Sequence, residues 1–309
     1  MKFAFLTFFI CLFVNNAFAQ TPSTKFGKII RYDSFNSKFV SKRNVDVWLP
    51  DNFLPNKTFG VLYMHDGQML FDSSISWNKQ AWMVQNIIHE LQLNHKDLKQ
   101  IIVVGIHNSG STRHSDYFPE KPFNNLSKKE KEYINNILTA KGKTKTRFIP
   151  QSNNYLKFIT KELKPFIDST YNTNNTQENT FICGSSMGGL ISLYAICEYP
   201  KVFNAAACIS THWPGTYSID SNPIPNQFFK YLKKNLPNPK NHKIYFDYGN
   251  KTLDSLYPLL QQKVDVIMQK KGYSITNWKT LFFEGENHSE KAWNKRLHIP
   301  LLFILNKNQ

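Results

Sequence analysis

The stretch Thr180–Ala195 constrains the fold more than any other part of the chain. An apolar run, Thr180-Phe181-Ile182-Cys183, leads into Gly184-Ser185-Ser186-Met187-Gly188-Gly189, and the apolar run Leu190-Ile191-Ser192-Leu193-Tyr194-Ala195 follows. The pattern predicts a strand, a tight turn and a helix, with Ser186 at the apex of a G-x-S-x-G turn. Small residues on both sides let the backbone take a strained conformation and let the helix pack close to the strand. The hydroxyl then stands above the sheet at the positive end of the helix dipole. Ser186 is therefore the candidate nucleophile.

A serine hydroxyl is a poor nucleophile at neutral pH and needs a base, which in turn needs an orienting carboxylate. With this type of turn the partners follow in the order serine, acid, histidine. His288, in Glu284-Gly285-Glu286-Asn287-His288 after the last apolar strand, fits the base; His212, in Ser210-Thr211-His212-Trp213, comes too early in the chain. His212 and Trp213 are expected instead to line the substrate pocket. Asp254, after the turn Gly249-Asn250, is favoured as the acid, with Asp247 as the alternative. Two backbone donors must face the developing oxyanion. One is the amide of Met187; the other is expected from Gly67 or Gln68 in His65-Asp66-Gly67-Gln68.

The rest of the chain alternates strand-like and helix-like runs, which predicts an α/β fold with a mostly parallel sheet covered on both faces. Lys28–Tyr32 and Val45–Leu49 read as an opening antiparallel pair. Phe59–Met64, Ile101–Ile106, Ala205–Ser210, Lys243–Asp247 and Lys279–Phe283 read as later strands. Ala81–Leu91, Asn153–Tyr171, Leu253–Lys270 and Ala292–Leu305 read as helices. Residues 109–151 break the alternation and are expected to be a substrate-side loop with a partly helical insertion, a candidate lid.

Lys2 followed by the run Phe3–Val14, interrupted only by Thr7, and then Ala17-Phe18-Ala19 reads as a secretory signal peptide cleaved after Ala19. The run is too short for a membrane span, which needs about 20 residues. Cleavage would leave 290 residues (309 − 19), suited to one domain, exported to the periplasm or outside the cell. The formal charge of +16 is scattered and densest around Lys128–Lys145, with no basic helix interleaved with aromatics, so nucleic acid is not expected as a partner. Cys183, Cys197 and Cys208 would remain, an odd number that makes a poor disulfide framework, although a Cys197–Cys208 bridge stays open. No spacing resembles a metal site, and no cofactor is expected.

Taken together, Val61–Phe71, Val103–Asn108 with Arg113 and Asp116–Pro119, the turn Gly184–Gly189, Gly249–Leu256, and Gly285–His288 with Trp293 resemble the esterase D family of α/β-hydrolases. That family includes enterobactin-type, feruloyl and acetylxylan esterases. The resemblance implies the α/β-hydrolase fold, a triad of Ser186, Asp254 and His288, Met187 at the oxyanion, and Arg113 near the substrate. Phe123–Arg147 has no clear counterpart in the family, so the substrate does not carry over. The expected function is a secreted serine esterase working through an acyl-enzyme, on a siderophore lactone or a polysaccharide-linked acyl or feruloyl ester. Acyl transfer on the same triad and peptide hydrolysis are the alternatives; a non-catalytic binding protein would predict a broken triad.

Overall fold

A computed structural model describes residues 20–307; the expected signal peptide lies outside the described residues. Eight strands form a single sheet: β1 (Lys28–Phe35), β2 (Arg43–Leu49), β3 (Gly60–His65), β4 (Ile101–Ile106), β5 (Thr180–Ser185), β6 (Ala205–Ile209), β7 (Lys243–Tyr248) and β8 (Trp278–Phe282). Their order across the sheet is β1-β2-β4-β3-β5-β6-β7-β8. β1 and β2 pair antiparallel, β2 meets β4 antiparallel, and every later pairing is parallel. The α/β expectation, including the opening pair, matches this architecture.

Strands β3 to β6 are buried along their whole length, which is why they read as unbroken apolar runs. The two faces follow the period of two. Val61, Tyr63, Ile102 and Val104 enter one core, while Leu62, Met64, Ile101 and Val103 enter the other. The first core is covered by α4 (Lys128–Ala140), α5 (Ser152–Lys157), α6 (Lys164–Thr170), α7 (Met187–Glu198), α8 (Ile224–Asn235) and α9 (Pro258–Lys270). The second is covered by α1 (Val84–Asn94), α10 (Glu290–Arg296) and α11 (His298–Leu305).

Several elements differ from the expectation, each for a local reason. The Asn153–Tyr171 helix is three pieces, because a π-helical stretch, Phe158–Leu163, separates α5 from α6. Leu253–Lys270 is a 3-10 turn, Thr252–Leu256, followed by α9, whose first residue is Pro258. The Ala292–Leu305 helix breaks at Leu297; Pro300, with no N–H to give, lies in the first turn of the second piece. Helix α8 was not legible, because prolines flank and enter its start. The 109–151 segment is more helical than loop-like: α2 (Arg113–Tyr117), α3 (Glu120–Asn124) and α4. Ser127 and Glu130 form a capping box on α4, and Phe123, Ile134, Leu138 and Phe148 are buried in the main core. Cys183, Cys197 and Cys208 are free and buried, so the Cys197–Cys208 bridge left open by the sequence is not formed.

The topology reverses at β3: the chain moves to β4 on one side and later to β5 on the other. A crevice at the carboxyl ends of the strands is expected at such a switch point. Ser186 sits there, between β5 and α7, with φ 58° and ψ −122°. That left-handed backbone is costly for a residue with a Cβ. It is held by three hydrogen bonds: the Ser186 amide donates to the Ile209 carbonyl (2.9 Å), and the Ser186 carbonyl accepts from the His212 and Leu190 amides (both 3.1 Å). Gly184 makes the turn possible, since a Cβ there would lie 2.7 Å from the Gly188 backbone. Gly184→Ala is therefore expected to destabilise the fold by about 1–3 kcal/mol, as overpacking does. Urea denaturation checks this; an unchanged midpoint would refute the steric account.

Candidate active site

Ser186 and His288 share a cavity of about 400 Å³ at the carboxyl edge of the sheet. His288 stands on the loop between β8 and α10, with its amide donating to the Thr252 hydroxyl (2.9 Å). Its Nδ1 lies 2.5 Å from Oδ1 of Asp254. Its ring meets Trp293 edge to face, with centroids 4.9 Å apart. Three elements far apart in sequence thus bring together the serine, histidine and aspartate singled out above.

Asp254 is fully buried, which would favour its neutral form. Burial pushes its carboxyl up, but the hydrogen bond and charge of His288, the Gly249 amide and the Ser210 hydroxyl outweigh it. The net pKa is below the ordinary carboxylate value, so the group is ionised at neutral pH. Oδ2 accepts from the Gly249 amide and from Ser210 Oγ, both at 2.7 Å. Ser210 Oγ in turn accepts from Trp293 Nε1 (3.0 Å) and an Arg296 Nη (2.9 Å). Gly249 also gives the 286 loop its room, because a Cβ would lie 2.2 Å from the Glu286 carbonyl oxygen.

Asp247, the alternative acid, is spent elsewhere. It is fully buried against Arg296 (3.0 Å) and accepts from the Ser210 amide (3.2 Å) and the Tyr245 hydroxyl (3.1 Å). Burial pushes its carboxyl up despite Arg296.

His212 and Trp213 do not line the cavity, contrary to the sequence expectation. Trp213 is buried in the core, with its indole N–H given to Gln261 Oε1 (2.8 Å). A large aromatic beside a site strand was better used for packing. His212 is buried behind the serine, with Nδ1 2.8 Å from the Tyr257 hydroxyl. Burial first, then the neighbouring His288, hold its pKa well below the usual histidine value, so the ring is neutral. His212 meets Ser186 through its main-chain amide, while its ring nitrogen is engaged by the Tyr257 hydroxyl.

Arg113 does line the cavity, but its charge is matched. Its Nε and a terminal nitrogen grip both oxygens of Asp66 at 2.7 Å, and Asn108 Nδ2 donates to the same carboxylate. Gln68 lines the cavity and Gly67 does not; Gly67 packs so closely on Gly105 that a Cβ would lie 2.6 Å from its backbone. Met187 opens α7, where the first amides have no partner within the helix.

Nothing in the sequence pattern marked Trp77 and Trp82 as lining the site. Trp77, Trp82 and Trp293 all border the cavity, and Trp77 is 81% exposed. The loop carrying Trp77 is tied to the histidine side: Asn78 Nδ2 donates to Glu290 Oε2 (2.9 Å), and Gln80 Oε1 accepts from the Lys291 amide (3.1 Å). Among the described residues no group of three or more His, Cys, Asp or Glu side chains is placed to hold a metal. No described helix is long and apolar enough to cross a membrane.

A mostly parallel sheet with a strained serine at the switch point, facing a histidine–aspartate pair, defines an α/β-hydrolase-like protein. The model of the "Putative esterase" family matches residues 37–303, and the chain belongs to that family. The uncharacterized protein YbbA of Bacillus subtilis (strain 168) is 25% identical over 283 residues, covering 89% of this chain and 98% of YbbA. A ferulic acid esterase structure superposes with a TM-score of 0.63 at 18% identity, covering 91% of this chain and 98% of its own. The enterobactin esterase FES from Shigella flexneri superposes with a TM-score of 0.62 at 15% identity, covering 93% of this chain and 61% of its own.

Proposed function

We propose that the chain is an exported serine esterase that cleaves carboxylic esters through an acyl-enzyme at Ser186. The observation that carries this is the cavity holding Ser186 beside a His288 ring oriented by buried Asp254. With its Nδ1 proton held by Asp254, the ring presents a bare Nε2 as the base. His288 takes the Ser186 proton as Oγ attacks the ester carbonyl. The oxyanion is received by the amides of Met187 and Gln68. Collapse expels the alcohol, which takes its proton from His288. Water, deprotonated by the same ring, then attacks the acyl-serine, releases the carboxylic acid and restores the Ser186 hydroxyl.

The cavity favours an ester whose acyl or alcohol part carries a flat ring. Trp77 offers an open face at the rim, with Trp82 and Trp293 deeper in. Feruloyl groups on polysaccharide and aryl lactones of the siderophore type both have such a ring, in keeping with the names of the two structural neighbours. Trp77→Ala is expected to raise KM for methyl ferulate about tenfold, the loss of roughly 1.4 kcal/mol of stacking, with p-nitrophenyl acetate unaffected. Steady-state kinetics on both esters decide it; an equal effect on the two would show that Trp77 does not contact the ring.

A further inference from the structure

A second cavity, of about 600 Å³, lies at the opposite edge of the sheet, among the residues that enter or begin the strands. Lys99 precedes β4, Glu178 precedes β5, and Lys243 begins β7; Lys240 and Lys307 complete its charged lining. Strand β5 is six residues long, so about 20 Å separates this cavity from Ser186.

Its electrostatics are unbalanced. Four lysines face a single carboxylate, Glu178, and among the described residues none of the four is in an ion pair. Lys243 is only 8% exposed, and its ammonium has a main-chain carbonyl as partner, that of Asn306 (3.2 Å), with the Phe303 ring 6.0 Å away. Lys99, half-buried, donates to the Glu178 carbonyl (2.5 Å) and lies over Phe181. Each has three N–H donors and spends one on a carbonyl. Burial lowers the pKa of both. The charge of Lys99 lowers that of Lys243 further; at Lys99 the charge of Glu178 works against the burial, and that of Lys307 adds a smaller depression. A lysine buried without an anion, as Lys243 is, is rare because the uncompensated charge destabilises the fold. Side chains that conflict with the fold in this way are expected at functional or strained sites.

We propose that this cavity binds a small hydrophilic molecule carrying two or more phosphate or carboxylate charges, held by Lys99, Lys243, Lys240 and Lys307. The volume is that of a small-molecule site rather than of a single ion.

Titration calorimetry of the full chain with inorganic pyrophosphate, and separately with citrate, at low ionic strength tests this. One-to-one saturable binding of either anion is expected, and the tighter one identifies the charged group. Lys99→Gln/Lys243→Met should weaken binding at least tenfold while leaving the melting temperature equal or higher, because repulsion is relieved. Lys240→Gln/Lys307→Gln, two exposed positions that cannot unfold the protein, should weaken it severalfold. Lys128→Gln/Lys129→Gln, removing equal charge from α4, should leave it unchanged. Binding of neither anion, or equal weakening by all three pairs, would overturn the proposal. No turnover is needed, so the result is independent of the esterase reading.

Discussion

Ser186→Ala is expected to lower kcat/KM for a simple aryl ester by about 10³-fold or more, with the melting temperature close to that of the unchanged protein. Only one oxygen is removed, and the main-chain hydrogen bonds that hold residue 186 at φ 58° do not involve it. The cost is therefore to chemistry rather than folding: the oxyanion donors and binding cavity persist, but no acyl-enzyme forms. The informative substrates are p-nitrophenyl acetate, methyl ferulate, acetylated xylan and a catechol trilactone, each assayed with both proteins. Undiminished turnover by the variant on every active ester would remove Ser186 as nucleophile.

Asp254→Asn has the second large effect, and its contrast with Asp247→Asn makes it informative. The amide that replaces the Asp254 carboxylate keeps its shape but withdraws the negative charge from His288 and from the donors at Gly249 and Ser210. The ring loses the partner that fixes its tautomer, and kcat is expected to fall by about 10³–10⁴-fold. Asp247→Asn leaves the contact between Asp254 and His288 intact. It instead leaves the buried Arg296 charge without its carboxylate, with Ser210 Oγ as its hydrogen-bond partner and its Nε and other Nη unpaired, and should cost about 3–5 kcal/mol of stability. Kinetics and denaturation on both variants separate the roles. A kcat loss in Asp247→Asn as large as in Asp254→Asn, with the fold intact, would reverse the assignment of the acid.

What the sequence made legible follows from how local each requirement is. The turn at Ser186 needs small residues at fixed offsets, so Gly184 and Gly188 announce it. The capping box of Ser127 and Glu130 is as local, yet the 109–151 segment was read only as partly helical. The contact between Asp254 and His288 could be anticipated because chain order limits the candidates, although order alone left Asp247 open. Ser210 could not be found this way. Its hydroxyl joins Asp254, Trp293 and Arg296, and nothing around Ser210 in sequence predicts three partners from such distant segments. Trp213 and Trp77 fail in opposite directions for one reason. Proximity to a site residue in sequence does not say which way a side chain points, so the adjacent tryptophan is core and the remote one stands at the rim. The breaks near Pro258 and Pro300 were marked by the prolines themselves; the π turn at Phe158–Leu163 carries no comparable sign.

The most direct test of the central claim is to quench the reaction with p-nitrophenyl acetate in its first turnovers and map acetylated peptides by mass spectrometry. An acetyl group on Ser186 is expected, appearing in a burst, and absent when His288 is replaced by alanine. Acetyl at another residue as the kinetically competent species, or steady turnover with Ser186 never acylated, would contradict it.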